Sequence, residues 1–360
     1  MNLVVKREEL AAALKLVVAC IDRRVTLPIL GHVLLEEQSG QLAVCASDLD
    51  REVTVMIESK EPFSGGVAIE GAALSAIASR SAGEFIMLEV GEDRVSATSG
   101  HSHYSLPFLP ERDFPRIGFS DREEASIYWL TDGGFQAAVA QTTYAVAETN
   151  IRPYLTGLHI HAAGTNWCCV SSDGHRFARA EFKGPALGEG LTPFMLPLKS
   201  AELTVKLLGE GDIFLRINDR KACFTGSKAS IVTKLLEVKF PDYTRRIPNS
   251  ASYVVEVDRK ELQDAMWRIA PFTGGNGINV TCTDGNMVIS ASSKNEEASD
   301  VIPCSGSIPF KLSIADTYLS EAITILKGDS ITLNFTEKGG PVILKNQDGQ
   351  ALHLVMPRLV

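Results

Sequence analysis

The chain has 360 residues, of which 45% are hydrophobic, and its 44 acidic and 35 basic side chains give a formal charge of −9. Such a length exceeds one ordinary domain, and the apolar share is ample for several cores, which excludes a disordered chain. The acidic balance excludes a protein that grips nucleic acid tightly over one broad basic face, since that binding is driven by phosphate neutralisation.

The predicted elements fall into three similar sets. The first opens with a helix from Arg7 (REELAAALKLVVACI), in which Leu10, Leu14, Val17 and Val18 recur on one face. An alternating strand carries Val53, Val55 and Ile57. A second helix, GAALSAIASR from Gly71, ends near a Gly-acid turn at Gly83-Glu84, where glycine suits the left-handed position after a helix. The strands FIMLEV and RVSATSG follow, and the set closes on Leu109-Pro110. A polar stretch at 120–126 reads as a linker.

The second set opens at Leu130 (LTDGGFQAAVAQTTYAV), with Thr131-Asp132 as an expected N-cap and Phe135, Val139 and Thr142 as the buried stripe. His159 and His161 alternate with Leu158 and Ile160. The helix KSAELTVKLLG from Lys199, the turn Gly211-Asp212, the strands IFLRI and KACFTGS, and Phe240-Pro241 complete it. After a polar stretch at 248–253, the third set repeats the plan. Its first helix, DRKELQDAMWRIAPF, has Asp258 as cap and Leu262, Met266 and Ile269 as core. Then come IADTYLSEAITILKG from Ile314, the turn Gly328-Asp329, the strands SITLNF and PVILKN, and Met356-Pro357. These sets predict three α+β domains, 1–120, 125–247 and 252–360, with antiparallel sheets covered on one face.

No apolar run approaches membrane-spanning length, and MNLVVKREEL lacks a signal-peptide core, so a soluble, cytoplasmic protein is expected. Seven cysteines, an odd number with no C-x-x-C pair, argue against a disulfide framework or a zinc site and for buried thiols. Phosphate-binding loops, nucleophile elbows and H-E-x-x-H pairs are absent from the sequence. Ser171-Ser172-Asp173-Gly174-His175-Arg176 holds hydrolase residue types. The same six residues also suit a tight turn, with Asp173-Gly174 supplying its geometry. His101 and His103 share a strand face, which suits metal ligation or, with no third ligand near, an interface strand.

Several segments resemble one family over the full length of the chain. Arg24-Val25-Thr26-Leu27-Pro28-Ile29-Leu30, Tyr154-Leu155-Thr156-Gly157, Ser172-Asp173-Gly174-His175-Arg176, Phe240-Pro241-Asp242-Tyr243 and Val355-Met356-Pro357 are similar, in order, to motifs of the bacterial sliding clamp, the beta subunit of DNA polymerase III. The resemblance implies a non-catalytic DNA-binding processivity factor of DNA replication. Three repeated clamp domains would make a ring-shaped homodimer, with helices lining the hole and sheets outside. Duplex DNA would pass through the hole without sequence preference, so weak phosphate contacts suffice. No cofactor and no metal are implied. The implied partners are the replicative polymerase, an ATP-driven clamp loader and other clamp-binding-motif proteins, with no membrane.

By the same resemblance, DNA contacts fall to Arg24, Arg80, Tyr154, Lys199 and Lys206. Further helix bases are Lys6, Arg7, Lys15, Arg259, Lys260 and Arg268. A partner-peptide groove, taking apolar anchors of the Q-L-x-L-F kind, would use Leu155, Ser172, Gly174, His175, Arg176 and Phe177. It would also use Pro241, Arg245, Arg246, Tyr318, Gly340, Leu354, Val355, Met356, Pro357 and Arg358. The dimer interface would join His101, His103 and Tyr104 to Pro271, Phe272, Glu296, Glu297 and Asp300, and histidines facing carboxylates predict an association that strengthens on acidification.

The chain departs from the family pattern at several points. Arg246 replaces an aliphatic wall residue, Pro153 and Gly275 stand where aromatics occur, Ala315 stands where Asn is frequent, and the end reads M-P-R-L-V. These departures predict a groove of altered preference, favouring peptides that carry an acidic residue. They leave open a specialised or inhibitor-tolerant paralogue, beside an enzyme using Asp173 and His175.

Overall fold

A computed structural model describes residues 2–21, 27–119, 123–149, 151–184, 192–248, 250–283, 285–337, 339–345 and 351–358. The first repeat runs β1 (Asn2–Lys6), α1 (Arg7–Val17), β2 (His32–Gln38), β3 (Gln41–Ser47), β4 (Arg51–Ile57), β5 (Gly66–Glu70), α2 (Gly71–Arg80), β6 (Phe85–Val90), β7 (Arg94–Ser99) and β8 (Ser102–Pro110). The second runs β9 (Ser126–Leu130), α3 (Gly134–Thr142), β10 (Gly157–Ala163), β11 (Asn166–Ser172), β12 (Arg176–Lys183), β13 (Phe194–Pro197), α4 (Leu198–Leu208), β14 (Ile213–Ile217), β15 (Lys221–Thr225) and β16 (Ala229–Lys234). The third runs β17 (Tyr253–Asp258), α5 (Arg259–Ile269), β18 (Ile278–Thr283), β19 (Asn286–Ser292), β20 (Glu297–Pro303), β21 (Leu312–Ile314), α6 (Asp316–Ile325), β22 (Ser330–Phe335), β23 (Val342–Lys345) and β24 (Ala351–Val355).

The element order is the same in all three, α+β with antiparallel pairing throughout. Each repeat opens on a strand rather than a helix. β1, β9 and β17 pair with β6, β14 and β22, the strands that follow the second helix of their repeats. A short strand running straight into a helix has no turn signal between the two, so the helix pattern masks it.

The helices bury the expected stripes: Leu10, Ala13, Leu14 and Val17 in α1, and Leu262, Ala265, Met266 and Ile269 in α5. Each such leucine removed from water stabilises the fold by about 1.5–3 kcal/mol. Asp258 caps α5, its side chain accepting from the Glu261 N–H at 2.8 Å. Past the cap expected at Thr131-Asp132, the helix starts late. Asp132 and Gly133 have φ of 63° and 65°, and α3 starts only at Gly134. Positive φ at two successive residues turns the chain before the helix can begin.

The Gly-acid turns also differ from expectation. Only Gly328 is left-handed, with φ of 105°. At Gly83 a Cβ would lie 2.5 Å from the Gly100 nitrogen, so glycine is needed there for close approach. The acid carbonyl and the glycine carbonyl are both acceptors for the first residue of the repeat's opening helix. Arg7 N–H donates to Glu84 at 2.9 Å and its guanidinium to Gly83 at 3.1 Å. Arg259 does the same to Asp329 and Gly328, both at 2.8 Å. These two arginines are turn clamps.

Two compact units result, 1–133 with 202–235, and 134–201 with 236–360. Their sheets run on past the repeats. In the first unit β4 pairs with β16, making one twelve-stranded sheet, and in the second β12 pairs with β24, making an eight-stranded sheet beside a four-stranded one. β4 is covered on both faces over Val53, Thr54 and Val55 rather than alternating. All seven cysteines are free thiols, five of them buried.

Candidate functional site

The second unit holds a groove of about 570 Å³ at the end of the β12–β24 seam. Pairing sets Arg176 opposite Val355 and Phe177 opposite Leu354, and past the strand end the Met356 N–H donates to the His175 carbonyl at 2.8 Å. This register puts Phe177 and Leu354 in the floor and leaves Met356 half-exposed at the rim. Val355, the next residue on the opposite face, is fully buried in the core. Leu155 joins the floor from a single helical turn, Pro153–Leu155, in which proline suits the first position. The Leu155 N–H and carbonyl are tied to Arg152 at 2.8 Å and Ala147 at 2.9 Å.

The turn Ser172–Arg176 shapes one wall. The Asp173 carboxylate accepts from the N–H groups of His175 and Arg176 at 2.8 and 2.9 Å and from the Arg176 guanidinium at 3.0 Å. Ser172 Oγ donates to the Arg176 carbonyl at 2.8 Å and accepts from the Gly174 N–H at 3.1 Å. Gly174 has φ of 95°. Aspartate and serine are thus spent on the backbone, so the turn reading holds and no base or nucleophile is set up. Arg176 is further held by Glu321 and stacks on Tyr318, its guanidinium 4.8 Å from the ring centre.

The opposite wall is aromatic. Phe240 lies parallel to the His159 ring at 5.2 Å, and His159 lies on His161 at 5.0 Å. His161 Nδ1 is 2.8 Å from the Ala162 carbonyl, which can only accept, so its other nitrogen accepts from the Tyr243 hydroxyl at 2.7 Å. Burial, with His161 beside it, pushes His159 down to about 4. Burial also pushes the Tyr243 hydroxyl up to about 12, with Cys168 adding to it. Both rings are therefore neutral near pH 7, and the wall is an uncharged surface for apolar side chains.

Of the expected groove residues, Leu155, Ser172, Gly174, His175, Arg176, Phe177, Pro241, Arg246, Leu354 and Met356 come together in this lining. Arg245, Tyr318, Gly340, Val355, Pro357 and Arg358 lie outside it. Arg245 is exposed and paired with Asp242 at 3.7 Å. Tyr318 lies against His175 at 6.3 Å, and Pro341 takes the place expected of Gly340. Arg358 is led away: its N–H donates to Ser313 at 2.8 Å and its guanidinium to the Gly275 carbonyl at 2.7 Å. Ala315 stands at the N-cap of α6 and offers that helix no side-chain cap. Arg152, Phe240, Asp242, Tyr243, Ile247 and Pro341 were missed. Phe240-Pro241-Asp242-Tyr243 was visible as a motif, whereas Arg152 carries no periodic signal.

Among the residues expected at DNA, Arg24 lies outside the described residues. Tyr154 is half-buried in the groove wall. Arg80, Lys199 and Lys206 are exposed helix bases, as are Lys15 and Lys260, while Lys6 is exposed at the end of β1 rather than on a helix. The strand edges expected at a dimer contact are visible. β8 pairs with β7 through Ser102–Pro107 and with β5 through Phe108–Pro110, so among the described residues the face of Ser102–Pro107 away from β7 has no pairing strand. Among the described residues β20 pairs only with β19. His101 and His103 border the first edge, with His103 Nδ1 3.2 Å from Thr98 Oγ1. Tyr104 bonds Ser81 at 3.2 Å. Glu296, Glu297 and Asp300 border the second edge, and Asp300 already accepts from Arg268 at 2.5 Å. Pro271 and Phe272 follow α5 in a helical turn. Among the described residues no three His, Cys, Asp or Glu side chains cluster to hold a metal, and no helix is long and apolar enough to cross a membrane.

Comparison with known proteins shows the family. Family models for the DNA polymerase III beta subunit match residues 1–118 (N-terminal domain), 130–242 (central domain) and 244–358 (C-terminal domain). The beta sliding clamp of Vibrio cholerae is 27% identical over 99% of both chains. The crystal structure of the DNA polymerase III subunit beta from Pseudomonas aeruginosa superposes with a TM-score of 0.93 at 23% identity over the whole of both chains. The sliding clamp of Bartonella birtlesii bound to griselimycin does so with a TM-score of 0.93 at 25% identity, again over the whole of both. The chain therefore belongs to the DNA polymerase III beta subunit family, the beta sliding clamps, and is a processivity factor of that polymerase: a non-catalytic accessory subunit with a three-domain clamp fold.

Proposed function

We propose that two copies of this chain close head to tail into a ring around duplex DNA. The observation that carries this is an unfinished pattern of seams. The first repeat joins the second through β4 and β16, and the second joins the third through β12 and β24. The third repeat offers the equivalent strand β20, which pairs on one side only, and the first offers β8, the counterpart of β16 and β24. A β20-to-β8 contact between copies continues the same rule, and closure of such a heterologous contact makes a ring of six repeats. Of the three carboxylates assigned to this contact, Glu296 and Glu297 are left to face His101 and His103, since Arg268 engages Asp300. Acidification then strengthens the dimer.

Sedimentation should give a dimer that a Lys substitution at Val301, an exposed residue of β20, converts to monomer. A dimer indifferent to that change places the contact elsewhere. Sedimentation constants that are the same at about pH 6 and pH 8 remove the histidine contribution.

Within the ring, Arg80, Lys199 and Lys206 are the assigned phosphate contacts, and retention on closed circular DNA that is lost on linearisation is the expected readout. The groove takes the apolar-anchored peptides of the replicative polymerase, of an ATP-driven loader and of other replication and repair proteins in the bacterial cytoplasm. Anisotropy of a labelled Q-L-x-L-F peptide should saturate, and Met356→Ala should weaken binding about tenfold. A folded dimer that leaves the peptide free refutes the groove assignment.

A further inference from the structure

We infer that Arg152 and Arg246 form a carboxylate-binding subsite in the groove, so that this clamp selects apolar-anchored peptides carrying an acidic side chain. The inference rests on the peptide-groove reading and deepens it. Four Arg and Asp side chains line the groove: Arg152, Arg176, Asp242 and Arg246. Two of these are already compensated. Arg176 is nearly buried and clamped by Asp173 and Glu321. The Asp242 carboxylate is held below the usual range by the Thr244 hydroxyl and N–H, at 2.6 and 3.0 Å, and by Arg245 beyond them.

Arg152 and Arg246 remain. Both are exposed, and among the described residues neither is in an ion pair. Arg152 Nη1 lies within 3.6 Å of where a Cβ on Gly174 would stand, so its head reaches over the turn that walls the groove. Arg246 comes from the opposite wall, in the turn Thr244–Arg246 that follows Tyr243. In a chain of charge −9, two uncompensated guanidinium groups beside an uncharged aromatic wall form a local anion trap. Their stems cover apolar wall while the heads stay in water, so the subsite costs no buried charge. A peptide carboxylate meets planar, bidentate donors there, and exposure keeps the gain modest and dependent on salt.

The test is anisotropy with the full-length protein and two labelled peptides, identical Q-L-x-L-F cores in which two flanking Asp residues are exchanged for Asn. The acidic peptide should bind about five- to tenfold tighter in dilute buffer, and the advantage should shrink below about twofold near 0.5 M salt. Arg246→Val and Arg152→Gln should each remove part of the advantage of the acidic over the Asn peptide, and the double variant all of it. Equal binding of the two peptides overturns the subsite while leaving the groove standing, as does an advantage that survives the double variant. Binding of neither peptide overturns the groove and the subsite with it.

Discussion

The chain builds the same seam twice, once in each unit, and in the second the turn at its end lines the groove. In the first, Ser47-Asp48-Leu49-Asp50-Arg51 joins β3 to β4; in the second, Ser172-Asp173-Gly174-His175-Arg176 joins β11 to β12. The bonding of the aspartate is the same in both. Asp48 Oδ1 accepts from the N–H of Asp50 and Arg51 at 3.0 and 2.6 Å and its Oδ2 from the Arg51 guanidinium at 3.0 Å, as Asp173 does from His175 and Arg176. Past the paired strand, the Lys234 N–H donates to the Asp50 carbonyl at 2.9 Å, where the Met356 N–H donates to the His175 carbonyl. The difference lies in what that last pair carries. Asp50 and Lys234 make an ion pair at 3.1 Å, while His175 and Met356 offer an aromatic edge and a thioether to a cavity. The Ser-Asp-x-x-Arg turn is therefore scaffolding, and binding character comes from the two positions between Asp and Arg and from the strand laid alongside.

The comparison breaks or sharpens at four points. Asp173→Ala removes three acceptor contacts of a nearly buried pair, and a loss of roughly 3–5 kcal/mol is expected together with the loss of peptide binding. Asp48→Ala should cost as much in melting experiments yet leave peptide anisotropy unchanged; a variant that also abolishes binding would show that the two seams are not independent.

The next effect concerns His353 in β24, whose counterpart in β16 is the buried Ile231. Burial pushes His353 down to about 4, and its Nδ1 sits 2.8 Å from the Tyr144 hydroxyl. The unfolded chain takes up this proton first, near pH 6.5, so the stabilisation is complete above that value and is lost as pH falls through about 4. It amounts to roughly 3 kcal/mol. Melting temperature should drop between those limits, and His353→Ile should flatten the slope, leaving the share of His159. An unchanged slope would place the titration elsewhere.

Smaller still is the left-handed position in each turn. Gly174→Ala should cost about 1–2 kcal/mol at φ of 95°, whereas Leu49, held at φ of 74°, should gain about 1 kcal/mol on change to Gly. Equal effects of the two substitutions would mean that the turns relax differently. Last, Ala315→Asn supplies the missing cap of α6, the helix that sets Glu321 against Arg176. A gain of about 0.5–1 kcal/mol in melting, with no change in Asp48 variants, would tie that helix to the second seam alone.

Much of this was legible from residue types. Apolar spacing located the opening helix of each repeat, and the turn chemistry of Asp173-Gly174 identified the scaffold that an enzyme reading would have taken for catalysis. Ten of the sixteen expected groove residues share one lining, because motif segments at strand ends stay together when strands pair. What escaped follows from geometry that spacing does not encode. Arg152 is a loop residue brought over Gly174 by a single helical turn. Arg7 and Arg259, read as helix bases, clamp carbonyls 69 to 76 residues away.

The sequence by itself determined the repeat, the helix faces, the turns and the family, because these depend on local periodicity and on residue types within a few positions of one another. Only the tertiary structure decided which strands meet across repeats. It also decided which charged groups are already compensated and which two arginines remain for a ligand. Pairing between β12 and β24 joins residues almost 180 apart, and whether a charge is free depends on every neighbour that such pairing brings near.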